Sequence, residues 1–311
     1  MIRRSTIDIG TNTILMLIAE YDEQSKKLNT ILDIQRVPRL GKGVDSNRNI
    51  LPESIQKAIN ILNEYKAISA QHNSPSITAT ATSFIRDSHN KEEFINAIKH
   101  NTGIEIDILS GIDEAKYTFI GGVYDKLGSG NTKLTTIDIG GGSTEITTSA
   151  ISQLSLKNIP LTGKSMNIGS VRINEKYLNS HPPPFENIVN AENFINDNLK
   201  EIDFDLSGTD LIGVAGTVTT LGAIVLGLDK FEADKVDNLN ISIAEIEEIL
   251  NRLIPMPIEE LYGIGDYMTG RADIVIPGIL ILKCFMWKFG FTNVKVSTKG
   301  LRYGVFLRNF L

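Results

Sequence analysis

The sequence predicts an α/β fold of two lobes, and three features of the 311-residue chain carry that expectation. A run of three strands gives way to alternating helices and strands, and the same order restarts in the second half. An aspartate followed by a small, hydroxyl-rich turn, Ile7-Asp8-Ile9-Gly10-Thr11-Asn12-Thr13, returns as Ile137-Asp138-Ile139-Gly140-Gly141-Gly142-Ser143-Thr144. The length also suits two domains better than one core. The halves are expected at 1–125 and 126–311, with a terminal helix at about 300–311 placed to pack back on the first.

Residues 2–9, 13–20 and 28–37 read as a strand meander. Pro52 opens a helix whose stripe is Ile55, Ile59, Leu62 and Tyr65. A short strand covers 76–81. Asn90-x-x-Glu93 resembles a capping box ahead of Phe94 and Ile98, and Gly103 closes that helix. A strand at 104–109 leads to a helix near Asp113. Gly128-Ser129-Gly130 separates the halves, as a hinge or a plain loop. The second half restarts with a strand at 133–139 and strands within 144–160. Helices follow at 186–200, 215–228, 243–254 and 277–289, then a strand at 293–298 and the terminal helix. Ser242-x-x-Glu245 is a second capping-box match.

Composition narrows the function classes. A net charge of −6 without a lysine- or arginine-rich run argues against non-specific nucleic-acid binding. The same charge means that a polyanionic ligand needs basic residues gathered locally at its site. The four histidines show no metal-ligand spacing, and the lone Cys284, in an apolar stretch, reads as a buried thiol in a reducing compartment. No apolar segment is long enough to span a bilayer, because 274–287 is short and holds Pro277 and Lys283. Arg3-Arg4 is not followed by a signal-like apolar run. A cytoplasmic protein without membrane or nucleic-acid partners is expected.

The segment from Asp138 to Glu145 is the most specific. Gly140, Gly141 and Gly142 allow close backbone approach, Ser143 and Thr144 bring hydroxyls, and both carboxylates can face one pocket across a hairpin. A divalent cation would offset their repulsion. In the first copy, Thr11 and Thr13 offer hydroxyls and Asn12 an amide to a phosphate oxygen. Arg86, after the strand at 76–81, suits bidentate phosphate pairing or an ordinary helix start. Asp113 and Glu114 open a helix, where acids are favoured by the dipole, yet a carboxylate there can also activate water. Ala215-Gly216-Thr217 leaves a strand into a helix, either as an anion-binding corner or as a tightly packed one. Arg271, Lys299 and Arg302 are basic candidates with no spacing to rank them.

In order along nearly the whole chain, these segments resemble the exopolyphosphatase / guanosine pentaphosphate phosphohydrolase (Ppx/GppA) family of the actin, Hsp70 and sugar-kinase superfamily. The resemblance runs through Ile7 to Thr13, Ala81-Thr82-Ser83-Phe84-Ile85-Arg86 with Asn90, and Ser110-Gly111-Ile112-Asp113-Glu114-Ala115. It continues through Ile137 to Glu145, Ala215 to Leu221, Arg271-Ala272-Asp273 and Lys299-Gly300-Leu301-Arg302-Tyr303-Gly304. Tyr303 departs from the acid that many relatives carry there, and Ile14 follows the first loop where relatives vary.

The resemblance implies two ribonuclease-H-like (actin-like ATPase) lobes with a cleft between them, and Mg²⁺, or another divalent cation, as cofactor. It implies release of terminal phosphate from inorganic polyphosphate or guanosine pentaphosphate by in-line attack of water. Glu114 corresponds to the base. Thr11, Asn12, Arg86, Gly140, Gly141, Gly142, Ser143, Gly216 and Thr217 are the expected phosphate contacts, and Asp138 and Glu145, with Asp8 in support, the metal acids. A homodimer is expected by family likeness alone. Longer relatives carry C-terminal helical domains associated with gripping long polymer, which this stretch of chain lacks. Two other classes stay open: a superfamily kinase using ATP, and a non-catalytic sensor of guanosine penta- or tetraphosphate.

Overall fold

The computed structural model of the protein describes residues 2–44, 48–126, 132–151, 160–308 and 310. Gly128-Ser129-Gly130, and 152–159 of the expected 144–160 strands, lie outside the described residues. The chain forms two compact units: residues through Gly121 together with those from Leu301 onward, and Gly122–Gly300. The division falls at Gly121/Gly122 and not at 125/126, and the helix Leu301–Leu307 belongs to the first unit.

In the first unit, β1 (Ile2–Ile9), β2 (Ile14–Asp22) and β3 (Lys27–Arg36) form the antiparallel meander. β4 (Ile77–Ala81) and β5 (Ile106–Ile108) add in parallel, giving the order β3-β2-β1-β4-β5. Side chains alternate across the pleat, so each face has its own chemistry. Ile7, Ile9, Ile14, Met16 and Ile18 meet the buried stripe of helix Pro52–Gln71, whose Tyr65 hydroxyl donates to Ile14 O at 2.9 Å. The opposite face carries Thr6, which donates to Arg302 O at 2.9 Å, and, two residues on, Asp8. Gly304 of the terminal helix would place a methyl 1.7 Å from Tyr117 O, so the two backbones nearly touch and only glycine fits.

The capping box expected at Asn90 does not form. Its side chain instead bridges forty residues back, accepting from Ile50 N at 2.8 Å and donating to Ile50 O at 3.0 Å. The helix Lys91–Thr102 still ends at Gly103, which adopts φ of 72°.

The second unit repeats the plan. β6 (Thr132–Ile139), β7 (Thr144–Ile151) and β8 (Thr162–Met166) form a second meander. β9 (Asp210–Val214) runs parallel to β6, β10 (Asn240–Ser242) is an antiparallel edge, and β11 (Asn293–Val296) runs parallel to β9. The order β10-β11-β9-β6-β7-β8 is the first sheet's order with one edge strand added, so each unit is ribonuclease-H-like. Ile137, Ile139 and Ile146 enter an aliphatic core with helices Ala215–Val225 and Ala272–Phe289, leaving Asp138 and Glu145 on the other face. The capping box at Ser242 and Glu245 does form.

The helix expected at 277–289 begins at Ala272, with Pro277 inside it. Proline takes away the N–H that would bond the carbonyl four residues earlier, here Asp273 O. The Asn174 amide nitrogen, in the orientation its hydrogen bonds require, donates to that same carbonyl at 2.9 Å. Asn174 lies on helix Ser170–Tyr177, which the sequence did not lead us to expect. Among the described residues no helix is long and apolar enough to cross a membrane.

Candidate active site

In the first unit the turn after β1 closes through Gly10 N to Thr13 O at 2.9 Å. Thr11 and Asn12 are buried there, and the Thr11 hydroxyl lies 3.3 Å from Ser83 Oγ, at the start of helix Ser83–Arg86. The segment after β3 lies against the same turn: Arg39 N donates to Asn12 O at 3.0 Å and Gly41 N to Thr11 O at 2.8 Å. Gly41 is required, because a Cβ would meet the Thr11 methyl at 2.3 Å. Arg86 Nη1 donates to Leu109 O and to Glu114 Oε2, both at 2.9 Å.

The two acids of helix Gly111–Val123 divide the work. Asp113 takes the local role, its N–H donating to Ser110 Oγ at 3.1 Å and its carboxylate accepting from that hydroxyl at 2.7 Å. Glu114, only 6% exposed, turns to Arg86. Ser110 thus caps the helix with Asp113 as its partner, and Glu114 has a separate, buried setting.

In the second unit, Asp138 and Glu145 are direct register partners on β6 and β7, 9% and 2% exposed. Directly opposed residues share a face with Cβ atoms about 5 Å apart. Ser165 Oγ donates to Glu145 Oε1 at 2.6 Å. The glycine turn between them is held from behind by helix Ser170–Tyr177. Ser170 N donates to Gly140 O at 2.9 Å, Val171 N to Gly141 O at 2.9 Å, and Arg172 Nε to Gly142 O at 3.0 Å. In a trans peptide the carbonyl and the following N–H point in opposite directions. Tying those three carbonyls to the helix therefore aims the N–H groups of Gly141, Gly142 and Ser143 the other way, as an anion cradle requires. Gly169 makes this approach possible, since a Cβ there would lie 2.3 Å from Gly141 O.

Thr217 Oγ1 donates to Ile139 O at 3.3 Å, which brings the corner after β9 to the end of β6. That corner is strained: Ala215 has φ of 65°, where a side chain is disfavoured. Arg271 packs on Gly216, whose Cβ would fall 1.6 Å from Nη1. Burial lowers the Arg271 pKa to about 10, leaving it charged at neutral pH.

The other basic candidates serve the scaffold. Lys299 Nζ bridges Asp125 and Asp237 at 2.8 Å each. Burial disfavours its charge, but the two aspartates outweigh that and hold its pKa above the ordinary lysine value. Arg302 grips Asp33 through Nε at 2.8 Å and Nη2 at 2.6 Å, and Tyr303 donates to Asp33 at 2.9 Å. Of the three expected metal acids, Asp8 stands in the first unit, close enough to Arg302 to favour its charge, and Asp138 and Glu145 stand in the second. Among the described residues no three His, Cys, Asp or Glu side chains gather as a metal centre. The Asp138–Glu145 pair is an all-oxygen, two-carboxylate set, which suits a hard cation that completes its shell with water and phosphate oxygens.

Ser83, Ser165, Gly169 and Arg172 were missed as site residues. Isolated side chains carry no local pattern: Ser83 comes in through its contact with Thr11, and the other three only through the pairing of β8 with β7 and the docking of helix Ser170–Tyr177.

Two ribonuclease-H-like units, each with a similar turn after its first strand, define a class of α/β proteins. Within that class the chain belongs to the Ppx/GppA phosphatase family, whose model matches residues 17–311. It is 32% identical to the bifunctional 3-dehydroquinate synthase/phosphatase of Fusobacterium nucleatum over 98% of this chain, but spans only 46% of that protein. It is 28% identical to exopolyphosphatase 2 of Mycobacterium tuberculosis, over 90% of this chain and 89% of that one. The crystal structure of an exopolyphosphatase-like protein superposes with a TM-score of 0.91 at 27% identity, covering 100% of both chains.

Proposed function

We propose that the protein is a phosphoanhydride hydrolase that removes terminal phosphate from inorganic polyphosphate, with guanosine pentaphosphate as a further substrate presenting the same end group. The observation that carries this reading is Glu114, buried and fixed by Arg86, while Ser110 and Asp113 bond each other at the start of the helix. A carboxylate so held can align a water and take its proton as the water oxygen bonds to the terminal phosphorus. The bridging P–O bond breaks and the shortened chain leaves with the electron pair. Asn12 and Arg86 in the first unit, and the N–H groups of Gly141, Gly142 and Ser143 in the second, are each of a kind that would bind phosphate, and positioning by such groups supplies most of the rate in phosphoryl transfer. Asp138 and Glu145 would hold Mg²⁺. When bound, the ion neutralises charge on phosphoryl oxygens.

Losing a general base costs about 10²–10⁴-fold. Glu114→Ala is therefore expected to release phosphate from polyphosphate at least ~10²-fold more slowly while its circular dichroism stays unchanged. The assay compares short polyphosphate, long polyphosphate and guanosine pentaphosphate, with and without Mg²⁺. Near-normal turnover removes Glu114 from the mechanism. Phosphate transfer that depends on an added acceptor would mark a kinase.

A further inference from the structure

Three consecutive amides of the glycine turn, those of Gly141, Gly142 and Ser143, donate to none of the described residues. The groups around them are satisfied. Gly140 N donates to Ser143 O at 3.0 Å, and the carbonyls of Gly140, Gly141 and Gly142 all accept from helix Ser170–Tyr177. Those three ties differ in kind. Ser170 and Val171 hold Gly140 O and Gly141 O through backbone N–H groups, which a change of side chain leaves in place. Gly142 O is held by a side chain, Arg172 Nε at 3.0 Å. Gly142 O and the Ser143 N–H belong to one rigid peptide plane. A donor on that carbonyl therefore fixes where the amide points and, by polarising the peptide, makes the amide a stronger donor in turn. A cationic donor does so more than a neutral one. Ser143 is 2% exposed, and in such surroundings the effect is little screened.

Resting on the hydrolase reading, we propose that Arg172 is a positioning residue: through the Gly142–Ser143 peptide it aims and strengthens the Ser143 N–H as a donor to phosphate. Arg172 acts from behind the peptide plane, so its effect reaches the anion through the amide and not by contact.

The test uses Arg172→Gln and Arg172→Met in the full chain. Glutamine carries its amide nitrogen where arginine carries Nε, so it keeps a donor for Gly142 O and loses the charge. Methionine fills similar space and loses the donor as well. Methylenediphosphonate, whose P–C–P bridge resists hydrolysis, is titrated at equilibrium well below each variant's melting temperature. Phosphate release from tripolyphosphate is followed alongside. Arg172→Met should bind the diphosphonate roughly tenfold more weakly or worse, the worth of a charge-assisted hydrogen bond. Arg172→Gln should recover about half of that loss on a logarithmic scale, because a neutral hydrogen bond is about half as strong. In NMR spectra of the free protein the Ser143 amide signal should move progressively from wild type through Arg172→Gln to Arg172→Met, an order that a loosened fold does not produce. Arg172→Met binding like wild type overturns the proposal, as does Arg172→Gln no better than Arg172→Met, or a Ser143 signal unmoved in Arg172→Met. If the wild type binds the diphosphonate but releases no phosphate from tripolyphosphate, the hydrolase reading fails while the affinity series still decides Arg172. A wild type that does not bind the diphosphonate overturns the cradle and the proposal with it.

Discussion

Gly169→Ala tests the glycine cradle from behind, at a residue that is not itself one of the proposed substrate contacts. The new methyl would lie 2.3 Å from Gly141 O, 2.5 Å from Gly141 C and 2.6 Å from Gly142 N, all backbone atoms of the cradle. Ordinary contact begins near 3.4 Å, so the turn must withdraw by about 1 Å. Overpacking of this kind costs about 1–3 kcal/mol of stability. The kinetic effect should be larger, because a misplacement of about 1 Å in catalytic groups can cost ~10²-fold. We expect kcat for phosphate release from tripolyphosphate to fall by about two orders of magnitude, measured well below the variant's melting temperature. Gly300→Ala is the control, since its methyl would meet nothing closer than Val214 Cβ at 3.9 Å. A Gly169→Ala protein with a lowered melting temperature but kcat within about threefold of wild type would refute the cradle, because the turn would have moved without consequence.

Two more outcomes follow from the same structure. Arg86→Ala removes the guanidinium that Glu114 accepts from; breaking a buried pair costs about 3–5 kcal/mol, tempered here because the Arg86 side chain is 23% exposed, so about 1–3 kcal/mol in urea unfolding is expected. Adding Glu114→Ala should cost less than the sum of the single changes, and strict additivity would deny the coupling. His181 supplies a pH dependence: burial lowers its pKa, with Asp273 partly opposing. The stability it supplies is complete above the unfolded value of about 6.5 and is lost as pH falls, because the unfolded chain takes up the proton first. Urea midpoints from pH 7.5 down to about 5 should therefore decline less steeply in His181→Gln, and equal slopes would contradict this.

The first meander, the β6–β7 hairpin and both turns were legible because strand alternation and a glycine turn are local signals, at Ile7 to Thr13 as at Ile137 to Ser143, whereas β8 (Thr162–Met166) lies beyond the 144–160 stretch expected to hold strands. What escaped depended on distant partners. Asn90 carried a capping signature that its bonds to Ile50 override, whereas Ser242 and Glu245, with no such competitor, capped as read. Pro277 read as a helix start because proline usually is one; Asn174, about a hundred residues earlier, makes it tolerable mid-helix by satisfying Asp273 O. In the site, Glu114 could not be told from Asp113 by spacing, and only their partners Arg86 and Ser110 separate them. The left-handed backbone of Arg39 and Ala215 was invisible, since neither residue type advertises it.

The helix Leu301–Leu307 lies on β1, with Thr6 donating to Arg302 O and Gly304 seated on Tyr117 O. During synthesis, β1 therefore waits for a segment 296 residues further along before its polar face is covered. All of Gly122–Gly300 emerges in between and can condense on its own contacts first. Vectorial folding is in this sense inverted: the amino-terminal unit is begun first and finished last.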